Sequence, residues 1–86
     1  MNDPVALRKL IRTVLSALPH NRRLDEGALT RVLESRFSEI NDLRTDELRI
    51  AIEFNHSKGW IEYTRNHDEE RDEWFLTERG RTKEGL

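Results

Sequence analysis

Large aliphatic residues recur at helical spacing near the start of the chain, at Leu7, Leu10, Ile11, Val14, Leu15 and Leu18. Steps of three and four residues keep them on one stripe of a helix. Asp3-Pro4 opens this helix, because an Asp side chain accepts from free amides and Pro suits the first helical position. Pro19 ends it, and Pro19 to Arg23 reads as a loop. A second helix is predicted from near Asp25, with Leu24 and Leu29 placed to form a hydrophobic staple. Its inner face is Leu29, Val32, Leu33 and Phe37, with Leu24 and Ile40 as further candidates. Gly27 weakens its first turn slightly, and Ser38 to Leu43 reads as a short connection. A third helix is expected after Thr45 as cap, with Asp46 and Glu47 in its first turn, and it runs to about Lys58 before Gly59. Leu48, Ala51, Ile52 and Asn55 share one side of it, while Glu47, Ile50, Glu53, Phe54 and Ser57 spread over the other.

The pattern changes at Trp60. Trp60 to Arg65 and Trp74 to Thr77 are rich in strand formers. The segment from Asn66 to Glu73 between them is polar and turn-prone, so a β-hairpin is predicted. Ile61, Tyr63 and Leu76 are expected to point into the core by strand alternation. Thr77 caps a final short helix, which Gly80 and Gly85 weaken. The expected class is therefore mainly α with a β-hairpin: three helices, a two-stranded wing and a short C-terminal helix.

A chain of 86 residues suits one domain, taken here as residues 1–86, with one modest core. Charged residues make up 37% and apolar ones 35%, a balance that alone suggests disorder. The patterned apolar runs argue instead for a fold. The chain has no cysteine, which removes disulfide scaffolds, thiolate metal sites and Cys nucleophiles. No apolar stretch approaches the ~20 residues of a membrane span, and the first residues lack the order of a secretory signal. A cytoplasmic location is the expectation. The net charge of -2 gives no overall pull toward nucleic acid, but the charge is unevenly spread. Residues 1–24 carry five bases against one acid, residues 60–78 seven acids against two bases, and the last eight residues sum to +2.

Two passages resemble the winged helix of bacterial regulators of the MarR and PadR types. Lys58-Gly59-Trp60-Ile61-Glu62 is similar to the passage from the third helix into the first wing strand. Leu76-Thr77-Glu78-Arg79-Gly80-Arg81 is similar to the passage that follows the second wing strand. The resemblance implies a small regulator of transcription that binds double-stranded DNA. It makes the Thr45–Lys58 helix the recognition helix, whose N-terminal half faces base edges in the major groove. Arg44 and Arg49 are then the expected groove contacts, and Thr45 offers a phosphate a hydroxyl or amide. The other bases lie on the first helix, on the Arg22-Arg23 loop and on the tail (Arg79, Arg81 and Lys83), and DNA binding requires these to face the backbone.

The charges argue for a different use. Asp46, Glu47 and Glu53 lie on the same helix, and the wing tip holds Asp68, Glu69, Glu70, Asp72 and Glu73. These acids oppose the phosphate neutralisation that supplies much of DNA affinity. The alternative is a protein-binding adaptor that does not bind DNA and uses the acidic wing together with the third helix, where Ile50, Glu53 and Phe54 are presented with acids around them. The plain structural reading packs Ile50 and Phe54 under the hairpin, against Trp60 or Trp74. Likewise the first-helix stripe serves either the core or a homodimer. His20, His56 and His67 are expected at the surface rather than on a metal. No phosphate-cradling loop or nucleophile motif is present, so neither an enzyme nor a cofactor is expected.

Overall fold

The computed structural model describes residues 1–86. Four helices and one two-stranded antiparallel sheet follow in the order α1 (Pro4–Ser16), α2 (Glu26–Arg36), α3 (Thr45–Ser57), β1 (Ile61–Asn66), β2 (Arg71–Leu76) and α4 (Glu78–Lys83). No helix is long and apolar enough to cross a membrane.

The helix starts follow their capping chemistry. The Asp3 carboxylate accepts from the amide of Val5, and that of Asp25 from the amide of Ala28 at 2.8 Å. α3 differs from the sequence expectation. Thr45 is its first helical residue, and Arg44 holds the cap position. The Glu47 carboxylate takes the free Arg44 amide at 3.1 Å, so the third helical residue caps the helix where a Thr hydroxyl was expected. Gly59 leaves α3 with φ of 73°, a left-handed turn that suits glycine.

Fourteen buried apolar residues form one continuous core. α1 supplies Leu7, Ile11, Val14 and Leu15, and packs against α2, α3 and β2. α2 adds Leu29 and Leu33, and α3 adds Leu48, Ala51 and Ile52. Ile40, Ile61, Trp74 and Leu76 close it. Leu24 is buried too, and exchanges two backbone hydrogen bonds with Trp74, at 2.8 and 3.1 Å. That bridge ties the start of α2 to the outer edge of β2 and fixes the hairpin to the helices.

The hairpin is longer than the sequence predicts. β2 begins at Arg71 rather than Trp74, and the turn shrinks to His67–Glu70. Polar cross-strand pairs account for the extension. Arg65 lies opposite Asp72 and donates to it at 3.2 Å, while Asn66 donates to Glu73 at 3.1 Å. Such pairs stabilise strands without burial, so apolar alternation does not reveal them. Tyr63 also departs from expectation. It is 41% exposed, because only the Ile61–Leu76 end of the ladder and Trp74 lie over the helices. Tyr63 instead packs on the rings of Trp74 and His56, with centroids 5.0 and 5.7 Å away.

Candidate functional site

Two faces hold the residues singled out from sequence. On the first, Arg44, Thr45 and Arg49 are all exposed at the N-terminal half of α3. Both arginines already have acids. Arg44 Nε lies 3.2 Å from Asp46, and Arg49 Nε lies 3.0 Å from Glu26 on α2. Exposed pairs of this kind stabilise by ~0–1 kcal/mol, so they bind the arginines loosely but keep an acid beside each. A groove between α2, α3 and the hairpin continues the pattern. Arg31, Arg49, Arg65 and Arg71 line it together with Asp25, Glu26, Glu70 and Asp72. Arg71 meets Asp25 at 2.9 Å and Arg65 meets Asp72 at 3.2 Å. This groove is balanced in charge and exerts little field on a polyanion.

The start of α3 is held by a residue that sequence reasoning passed over. Asn2 is only 7% exposed. Its side chain donates to the carbonyl of Asn41 at 3.1 Å and accepts from the amide of Asn41 at 3.0 Å. Its own amide donates to Glu47 at 3.0 Å. The amides of Arg44 and Asn2 hold the Glu47 carboxyl below its ordinary range, helped by the Asn2 side chain and the N-terminal charge.

Of the first-helix cations, Arg12 is withdrawn from any surface role. It is 7% exposed, pairs with Glu84 at 2.9 Å, donates to Asn55 Oδ1 at 2.8 Å and lies over the Trp60 ring. Lys9 lies 3.7 Å from the same Glu84.

The second face is different. α4 brings the C-terminal bases alongside the α1–α2 loop. His20, Arg22, Arg23 and Arg81 border a cleft of about 430 Å³ whose apolar lining includes Leu15, Leu18 and Phe75. The Arg23 guanidinium lies 4.6 Å from the Phe75 ring centre. Across Glu78 a second hollow is bounded by Arg79, Lys83 and Trp60, with Lys83 Nζ 4.9 Å from the Trp60 ring centre. Arg22, Arg23, Arg79, Arg81 and Lys83 have no carboxylate within 4.0 Å.

The placement of α4 depends on two residues. Thr77 Oγ1 donates to the Gly59 carbonyl at 2.6 Å and accepts from the Gly80 amide at 3.0 Å. Gly80 is buried, and any Cβ there would collide with the Trp60 carbonyl and the Leu76 side chain. Gly80 therefore lets α4 lie on the hairpin base, a packing role beyond its weakening of the short helix. The sequence offers the Arg22–Arg23 loop, the first helix and the tail bases Arg79, Arg81 and Lys83 as one basic set. The close approach at Gly80 brings the loop and tail to adjoining hollows, while Arg12 of the first helix is buried.

The histidines are scattered. His20 and His67 are exposed, the first at the basic cleft and the second in the hairpin turn. His56 Nε2 lies 2.9 Å from Glu62. No family model, curated relative or solved structure matches the chain.

Proposed function

We propose that this chain is a winged-helix domain that binds double-stranded DNA, with its α4 face rather than α3 on the phosphate backbone. The observation that carries the reading is the set of five unpaired cations, Arg22, Arg23, Arg79, Arg81 and Lys83, around two adjoining hollows. Glu78 is the one acid bordering both. Phosphate neutralisation by such residues releases condensed counterions and supplies most sequence-independent affinity. Two cations lie over aromatic rings, Arg23 on Phe75 and Lys83 on Trp60, which limits their freedom before DNA arrives. The winged-helix reading is supported by the order of elements and by the Leu24–Trp74 bridge, which makes the hairpin part of the helical core.

Fluorescence anisotropy with a labelled duplex tests the proposal. Five phosphate contacts predict affinity that falls about 10²–10³-fold between about 50 and 200 mM salt. Arg22→Gln with Arg81→Gln should weaken binding and reduce the logarithmic salt slope by roughly 2. Arg44→Gln with Arg49→Gln should change little. Absence of salt-sensitive binding to duplex at low ionic strength overturns DNA binding. A larger effect of the Arg44 and Arg49 changes returns the contact to α3.

A further inference from the structure

Ile50, Phe54 and Lys58 stand four residues apart and form one line along the outer side of α3. Ile50 is 59% exposed. Phe54 is half-buried, with the Trp60 ring at 6.1 Å on one side, so the expected packing against Trp60 covers it in part and leaves Ile50 outside. The Arg8 guanidinium lies over the Phe54 ring at 3.7 Å, and Lys58 Nζ is 5.5 Å from its centre. Beside Ile50, α1 and α3 enclose a mainly apolar cleft of about 180 Å³ whose walls include Pro4, Leu7, Arg8 and Ala51, with Asp46 and Glu47 at its α3 side.

Acids and bases both border this line, but the acids are mostly partnered and the bases are not. Asp46 is paired with Arg44, and Glu47 is spent on the amides of Asn2 and Arg44. Arg8 and Lys58 have no carboxylate within 4.0 Å, and Arg8 Nε is buried without an acceptor. Two unanswered cations thus flank an apolar line, with Glu53 as an exposed acid beside it. An exposed apolar anchor beside a cleft, rimmed by free charge, is the composition of a helix-in-groove interface.

We infer that the α1–α3 face docks an acidic amphipathic helix of a partner protein. An aliphatic side chain of that helix enters the cleft beside Ile50, and its carboxylates pair with Arg8 and Lys58. This surface is separate from the Arg22–Arg81 cleft, and the proposal does not depend on DNA binding.

The probe is a synthetic amphipathic helical peptide with Leu on one face and Glu on its flanks, titrated by calorimetry and by amide NMR shifts. The expected result is saturable binding with shifts centred on Arg8, Ile50 and Phe54. Ile50→Asp should weaken it by more than about tenfold, as loss of an interface anchor does. Ile50 is exposed, so circular dichroism should report an intact fold. Arg8→Gln and Lys58→Gln should each weaken binding several-fold, and a Lys-for-Glu peptide should not bind. The Arg22→Gln, Arg81→Gln variant should bind the peptide normally. Equal binding by Ile50→Asp, equal binding of the basic peptide, or shifts confined to the Arg22–Arg81 cleft would each overturn the proposal. So would self-association through Ile50 without peptide, or capture of duplex DNA by this face in its place.

Discussion

A single buried cation sets the strongest residue-level demand in this protein. Arg12 lies under Trp60 and spends its guanidinium on Glu84 and Asn55. Asn55 in turn donates to the Arg8 carbonyl at 3.2 Å, so the network joins α1, α3 and the end of α4. Removing one partner of a buried pair leaves an uncompensated charge, which costs more than the intact pair contributes. Glu84→Ala should therefore destabilise the fold by about 3 kcal/mol, read as a lowered urea midpoint at constant slope. Glu47 makes a second, pH-dependent demand. Its carboxyl is held below its ordinary range by the amides of Arg44 and Asn2. A depressed folded-state value means that its stabilising effect is complete above the ordinary Glu range and is lost as pH falls through the folded value. On acidification the Asn2 and Arg44 amide resonances should shift together, and in Glu47→Gln that shared transition should vanish.

At the scale of elements, the chain separates what periodicity reveals from what close packing decides. The stripe from Leu7 to Leu15 and the inner sides of α2 and α3 are legible in the sequence, because helical spacing and burial report the same fact. The Arg71–Glu73 part of β2 is not, since its pairing is between polar side chains on a strand that leaves the core. The cap of α3 is missed for a related reason. A Glu at the third helical position serves the free amide, which a search for Ser or Thr at the cap overlooks. For the candidate site, the loop and tail bases both stand out in the sequence, but their meeting on one face does not, since it depends on Gly80 admitting the Trp60 carbonyl. Gly80→Ala should thus raise helix propensity and still destabilise the protein by about 1–3 kcal/mol, since overpacking exceeds the propensity gain. Thermal melting should detect it as a lower midpoint. If α4 lifts from the hairpin, the same substitution should also weaken DNA binding.

The whole molecule is polarised. Free cations gather around α4 at the base of the hairpin, and the turn carries Asp68, Glu69 and Glu70 at its far end. Six-residue strands separate the two regions by roughly 17 Å at ~3.3 Å per residue, about twice the Debye length of ~8 Å at physiological salt. The two ends therefore act nearly independently in the cell and attract each other through solution only when salt is low. A net charge of -2 describes neither end. For that reason the proposed salt slope for duplex, rather than bulk charge, is the quantity that reports the α4 face.

The acidic hairpin turn also has a bearing on crowding. A mobile polyanion and the turn of a neighbouring copy present the same sign of charge to the α4 face, so each copy carries a weak competitor for every other. If the α4 face takes phosphates as proposed, that competition is felt at low salt and fades as added salt shortens the reach of exposed charges.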